Sequence, residues 1–514
     1  MNQADQSRGY PFHNPLSSRR LRALTGAATA LLLTVAGTQS VQAGGFEIPE
    51  NTTKSVARGG TGVVNKRDPS ALYFNPALLP RARGFQALVN VNFVNLNIDF
   101  QRDPLIRNAG KRNEQVIEFD PVTNEAGFFP APFLSLSYDF GIKNFAAGLG
   151  LFGPSGYGGR CYGEVKDGEC KVRTADPNGV DAAARYMMVN SSMIEVLGSL
   201  GAGYTFEVGG GELSIGATGM LTYLDADFIL AVHGIPGEEK LEDPSNDAIF
   251  YGKSLSDLAM TGTFGVAYDF QGWRAALSYR LPIDWEAEGT VSMTPAPSTG
   301  LGELTDDRLT LATAQAGNLR AGIAYEGGVH PGDPELPRYD IEFNMVWEDW
   351  SRLEHFKIDP RGQLLLGGAE IDLGTLYQVK NYKDTYSFRL GGSYAINEWL
   401  SGHAGGYYET GAQSNEYTNV DFVSWDRFAS GLGVTFRLFD MLDLDLAYQH
   451  VFSPDRVVKN GKVHQQVPLA DCKGPDYDNE YCSPQGTPPG NPQNNGTWSS
   501  SFQTASVGLT FYYD

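Results

Sequence analysis

From residue 85 to the C-terminus the sequence alternates apolar and polar positions, in runs longer than a globular strand needs. "ELSIGATGMLTY" (212–223) puts Leu213, Ile215, Ala217, Gly219, Leu221 and Tyr223 on one face. "LAMTGTFGVAYDF" (258–270) puts Leu258, Met260, Phe264, Val266, Tyr268 and Phe270 on one face, opposite Ala259, Thr261, Thr263, Gly265 and Asp269. The last run, "ASVGLTFYY" (505–513), sets Val507, Leu509, Phe511 and Tyr513 against Ser506, Gly508, Thr510 and Tyr512. A period of two is that of an extended strand. About 9–11 such residues cross a bilayer at a tilt. The minor face is polar but small and mostly uncharged, as a lumen lining is. Aromatic residues near strand ends (Trp347 and Trp350, Tyr407 and Tyr408, Phe511 to Tyr513) read as interfacial girdles.

The pattern predicts about fourteen strands, near 85–101, 131–140, 144–153, 188–207, 211–230, 255–271, 272–293, 317–327, 338–358, 381–396, 398–409, 425–438, 441–453 and 501–513. An even count suits a bacterial barrel. Short connections such as 141–144, 207–211, 271–273 and 439–441 alternate with long ones near 102–130, 154–187, 231–254, 294–316, 359–380, 410–424 and 454–500. Short turns belong in the periplasm and long loops outside. The expected fold is therefore all-β: a transmembrane antiparallel β-barrel over residues 84–514. No apolar run after residue 45 approaches the ~18 residues of a membrane helix.

Residues 1–43 read as a secretory signal. Arg19, Arg20 and Arg22 precede the apolar stretch 23–37, and "VQA" (41–43) ends in the small residue a signal peptidase needs. The segment has four arginines and one aspartate, so it takes net +3 from a chain at −21 and leaves the rest near −24. Such a charge disfavours nucleic acid as a partner. Cys161 with Cys170, and Cys472 with Cys482, form two local pairs in long loops. In an exported chain they read as two disulfides stiffening exposed loops, although four cysteines permit three connectivities. Neither pair has the spacing of a metal site, and no cofactor is expected.

Residues 44–83 precede the barrel. The stretch "DPSALYFNPALLPR" is apolar enough to be buried, yet Pro76 and Pro80 forbid a long helix or a central strand. A barrel of about fourteen strands has a bore that wall side chains alone do not fill. The segment is therefore expected inside the bore, as a hatch.

These residues resemble the N-terminal hatch of the FadL-type outer-membrane long-chain fatty-acid and hydrocarbon transport family. The shared elements are Gly45 and Phe46; Ala57, Arg58 and Gly62; and Asp68, Ser70, Tyr73, Asn75, Pro76 and Ala77. "FAAGLGLFGPSG" (145–156), "AALSYRLPIDWEAEG" (275–289) and "WEDWSRLEHFKI" (347–358) are similar to later stretches of the family. The resemblance implies an outer-membrane channel of a Gram-negative cell for passive uptake of apolar molecules. Outer loops would catch the ligand, with Leu301, Leu304, Leu309 and Leu311 of 294–316 as a greasy surface. Phe46 and Ile48 would line a lumen pocket. Release would be sideways, where Gly148 and Gly150 soften a kinked third strand against Asn75, Pro76 and Ala77. Lys380 would touch a ligand head group; otherwise it is a solvated loop lysine. The acids Asp225 and Asp227 stand where fatty-acid members of the family carry basic residues.

The expected partners are hydrophobic small molecules together with outer-membrane lipid and lipopolysaccharide, around a monomer. An enzyme, such as an outer-membrane lipid hydrolase, is disfavoured: there is no G-x-S-x-G, and no serine–histidine spacing supports a hydrolase. A barrel of this kind could also serve as a non-selective porin, or as a surface adhesin built on 454–500.

Overall fold

The computed structural model describes residues 50–153, 158–172, 183–233, 242–298, 302–366, 369–439, 441–465 and 491–513. The signal segment 1–43, Phe46, Ile48, Leu301, Cys472 and Cys482 lie outside these residues.

Fourteen antiparallel strands close on themselves among the described residues. They are β1 (Phe85–Arg102), β2 (Phe129–Tyr138), β3 (Phe145–Phe152), β4 (Asn190–Val208), β5 (Gly211–His233) and β6 (Asp247–Phe270), followed by four interrupted strands. These are β7 (Trp273–Arg280, then Ile283–Thr294), β8 (Arg308–Gln315, then Asn318–Gly327), β9 (Tyr339–Glu348, then His355–Pro360) and β10 (Leu376–Val379, then Thr385–Ala395). β11 (Leu400–Glu409), β12 (Arg427–Phe439), β13 (Leu442–Phe452) and β14 (Gly496–Tyr513) complete the wall. Closure is by β1 on β14, in register from Phe85↔Tyr513 to Arg102↔Gly496. The interruption of β7 falls at Pro282, which has no N–H to give a ladder.

The wall is apolar outside and polar within. Met260 is 81% exposed and Leu432 68%, while Thr218, Thr222 and Thr263 face inward and are buried. Water would oppose this arrangement and a bilayer favours it.

Several sequence expectations are corrected here. The segment 308–315 is strand, not loop, and Leu309 and Leu311 point inward and are buried rather than forming an outer surface. Trp350 and Tyr407 are buried inside the barrel and belong to no girdle, whereas Tyr386, Phe428 and Phe452 face out. β6 begins at Asp247, eight residues before the expected start at 255. Strand alternation there continues past the bilayer, so hydropathy gave no boundary.

Residues 50–84 occupy the bore. Helix α1 (Thr53–Ala57) has no cap from its own side chains. The wall caps it instead: Asn90 accepts from the Thr53 N–H at 2.6 Å. Helix α2 (Ala71–Phe74) stops at Asn75, because the following Pro76 forces that residue out of the helical region to φ −162°. The Asn75 carboxamide oxygen then accepts the Ala77 N–H at 3.1 Å and starts the 3-10 turn Pro76–Arg81. Its amide nitrogen donates to the Val63 carbonyl at 2.9 Å, tying the hatch together.

The hatch is anchored to the wall by ion pairs. Arg58 meets Asp340 and Glu342, at 2.9 and 3.0 Å, and Arg67 and Arg81 share Glu326, at 2.7 and 3.0 Å. Buried pairs of this kind set position more than they add stability. Close approach is allowed by glycine: a Cβ at Gly59, where φ is +61°, would lie 2.3 Å from the Gly406 nitrogen.

Candidate functional site

Near the hatch the wall carries a built-in discontinuity. β2 reads FPAPFLSLSY. It pairs with β1 from Phe129 to Ser137, but with β3 only from Phe133↔Phe152 to Tyr138↔Ala147. Beyond that pair the Gly153 N–H still reaches the Pro132 carbonyl, at 3.3 Å. A strand residue presents its C=O and its N–H position to the same side. The donor positions of 132 and 130 therefore face β3, and both are proline, so the edge offers no N–H there. On the other side, β4 pairs Leu197 with Phe152 and then Ser192 with Gly159. Between those pairs the sequence counts six residues, 153–158, against four in β4, 193–196.

The hatch places an aromatic ring against this break. Phe133 and Phe152, the last cross-strand pair, stack at 4.7 Å, and Tyr73 stands edge-on to Phe152 at 5.3 Å. Phe74, Leu88, Leu197 and Met220 complete a dry cluster. The other side of Tyr73 is polar. Arg320 lies 5.0 Å from its ring centre and donates to its carbonyl at 3.1 Å. The lumen thus has a dry wall beside the break and a charged wall opposite.

Above the hatch, the outer lumen holds a buried cationic group. Arg160 is 1% exposed, and among the described residues none of its three guanidinium nitrogens has a hydrogen-bond partner. Its guanidinium lies over the Phe422 ring at 4.6 Å. The loop carrying Phe422 is pinned inward by Tyr162 to the Val420 carbonyl (2.7 Å) and by Tyr382 to the Phe422 carbonyl (3.0 Å). Beside it Lys380, fully buried, forms an ion pair with Asp421 and lies 4.5 Å from the Phe356 ring centre. Two cations and one carboxylate leave one positive charge in excess. Phe356 and Phe422 belong to a large buried apolar cluster that also holds Met187, Met188, Trp425 and Trp498.

Arg102 and Glu242 close the roof of the lumen through two bonds, at 2.8 and 2.9 Å. Arg185 extends the roof to Asp247 at 2.7 Å. Burial raises the Glu242 carboxyl, but the charge and bonds of Arg102, with Arg185 behind it, outweigh this and hold it below its ordinary range.

The candidate residues from the sequence fall in different places. Asn75, Pro76 and Ala77 are fully buried, seated against β4, β5 and β6. A Cβ at Gly265 would lie 1.9 Å from the Asn75 oxygen, one at Gly216 2.5 Å from the Ala77 nitrogen, and one at Gly203 2.6 Å from the Pro76 carbonyl oxygen. At the third strand the turn Pro76–Arg81 packs on the wall, and Leu72 joins it, its methyl 3.2 Å from a Cβ built on Gly148. Gly150 lies against the Leu134 carbonyl and the Ser199 hydroxyl. Lys380 is neither solvated nor free, since Asp421 matches its charge. Cys161 and Cys170 are joined in a disulfide. Asp225 and Asp227 lie on the outward face of β5, so they do not line the lumen.

Sequence reasoning missed Arg160, Tyr73 as a wall contact, Phe133 and Phe152. The alternate prolines of "FPAPF" were the available signal for the break. Arg160, between a glycine and a cysteine in a loop, gave none.

Residues 34–480 match the family described as outer membrane protein transport protein (OMPP1/FadL/TodX). No curated protein matches the chain. Among solved structures it is similar to a Pseudomonas aeruginosa FadL homologue at TM-score 0.67 and 16% identity, covering 91% of this chain and 100% of that one. The Pseudomonas putida toluene transporter TodX superposes at TM-score 0.59 and 15% identity, covering 91% and 99%. The CymD monoaromatic hydrocarbon channel does so at 0.57 and 15%, with the same coverage. The protein is thus an outer-membrane barrel and a channel for hydrophobic compounds rather than an enzyme, and it belongs to the FadL/TodX family of outer-membrane transport proteins.

Proposed function

We propose that the cargo is an amphiphile with one anionic head and an apolar body, and that it leaves the barrel sideways between β2 and β3. The head would rest at Arg160 and the body would run down the lumen toward Tyr73. The single observation that carries this reading is the buried guanidinium of Arg160, which has no hydrogen-bond partner among the described residues. A buried cation without hydrogen bonds is costly, and a carboxylate or similar anion removes that cost with strong charge-assisted bonds. The apolar remainder supports the rest of the path. Moving a dozen methylenes through water costs roughly 10 kcal/mol, which a dry lane avoids. The prolines of β2 favour release at the break, because they leave that edge without N–H donors for its neighbour.

The test compares dodecanoate with dodecanol, binding each to purified protein in detergent by calorimetry. The wild type should prefer the carboxylate by about tenfold or more, roughly 1.4 kcal/mol. Arg160→Gln should remove that preference and leave dodecanol binding nearly unchanged. Equal binding of both probes by the wild type would return the cargo to neutral apolar molecules.

A further inference from the structure

We infer that the Cys161–Cys170 disulfide is a specificity device: it fixes the backbone that presents Arg160 to the lumen, so the channel's preference for an anionic head depends on the bond. The inference rests on the head-group reading of Arg160 above.

Arg160 has no side-chain hydrogen bond among the described residues to orient it. Its place is set by the Phe422 ring and by its own backbone. That backbone belongs to the three-residue strand Gly159–Cys161, which rejoins β4 through Asn190↔Cys161, Ser191↔Arg160 and Ser192↔Gly159. Three residues make a weak strand.

Cys161 is where the strand is tied down. Its carbonyl accepts the Glu125 N–H at 2.8 Å. Its N–H donates to the Asn124 carboxamide at 3.0 Å. Asn124 is itself bonded to β1, donating to the Leu96 carbonyl at 2.8 Å. Cys161 thus bridges the β1–β2 side of the break to β4, directly above it. The disulfide adds a second anchor, from the hairpin formed by Glu164–Lys166 and Glu169–Lys171, in which Cys170 pairs with Val165. The next residue, Tyr162, reaches the Val420 carbonyl and holds the loop that bears Phe422. Backbone and ring, the two things that place Arg160, therefore both trace to this short run. Cys161 and Cys170 are positioning residues, acting through Arg160.

The experiment measures the ratio of dodecanol to dodecanoate dissociation constants in four proteins, all carrying Cys472→Ser and Cys482→Ser. They are the parent, Arg160→Gln, the pair Cys161→Ser with Cys170→Ser, and the combination of all three changes. We expect the serine pair to lower the ratio several-fold toward that of Arg160→Gln, with dodecanol affinity held within about twofold. The combination should fall no further than Arg160→Gln alone. A general loosening, which would weaken both probes alike, overturns the inference.

If the serine pair does not fold, the folded parent is treated with dithiothreitol. The protein S–S bond takes two electrons and two protons from the dithiol, giving two protein thiols and the cyclic disulfide. The ratio should drop on reduction and return on reoxidation. A parent-like ratio after loss of the bond by either route overturns the inference. An Arg160→Gln protein with the parent's ratio instead overturns the head-group reading beneath it.

Discussion

Tyr73 of the hatch stands edge-on to Phe152 of the wall, with ring centres 5.3 Å apart and planes 85° to each other. Phe152 is also the last β3 residue paired to β2. One contact therefore joins the stopper to the place where the wall comes apart. Edge-to-face pairs add about 0.5–1.5 kcal/mol beyond the area they bury.

Tyr73→Ala should loosen the hatch without unmaking the barrel. Hydrogen exchange of residues 70–75 should speed up markedly, while the β5–β6 ladder stays protected. A double-mutant cycle with Phe152→Ala should give a coupling of about 1 kcal/mol from the exchange data. Additive effects would remove Phe152 from the account of how the hatch is held.

Asn75 stops one helix, starts the next turn and ties the hatch to the Val63 carbonyl. Asn75→Asp keeps the acceptor for the Ala77 N–H but loses the donor and sets a carboxylate against that carbonyl. The Val63 carbonyl is then buried without its donor and faces a buried charge held only by the Ala77 N–H, at about 1–3 kcal/mol or more. Rising ion conductance in planar bilayers should report the displaced hatch, with Asn75→Asp more severe than Asn75→Ser. Equal, porin-like conductance in the unaltered protein would contradict a stoppered bore.

Restoring donors to the edge of β2 should slow release. With Pro130→Thr and Pro132→Thr, that strand can offer two N–H groups to the third strand. Uptake of a fluorescent fatty acid into proteoliposomes should fall several-fold, with ligand binding in detergent unchanged. Unaltered uptake would argue against the sideways route.

Acid should open the roof. The Glu242 carboxyl is held below its ordinary range, mainly by Arg102 against the upward pull of burial. Its folded-state value is thus lower than its unfolded one. The stabilisation it gives is present above about pH 4.5 and is lost as the pH falls through the folded value. Loss of protection in residues 242–247 as the pH falls below about 4.5 is the expected signature, absent in Glu242→Gln. Exchange in that segment that ignored pH would assign the roof to other contacts.

The barrel was legible because its physics is repetitive. Alternation at Leu258, Met260, Phe264 and Val266 is the same statement in every strand, and it sets face, pairing and closure together. Pro76 and Pro80 likewise marked residues 68–83 as something other than wall. What failed to show was any feature made by the meeting of distant segments. Leu309 and Leu311 looked like an outer surface because their polar-face neighbours resembled loop. Tyr407 and Trp350 looked like girdle residues because position along a strand does not say which way a ring points. Arg160 carries its meaning only through Phe422, Asp421 and Lys380, which lie more than 200 residues away in the chain. Lys380 was picked out by resemblance, and its partner Asp421 by nothing.

The most direct test of the central claim is a crystal structure of the protein with 12-bromododecanoate, read from the anomalous signal of bromine. The account predicts the carboxylate at Arg160 and a bromine peak inside the bore, in the apolar space leading toward Tyr73 and Phe152. Bromine found only on the outer, lipid-facing surface, with the bore unlabelled, would contradict it.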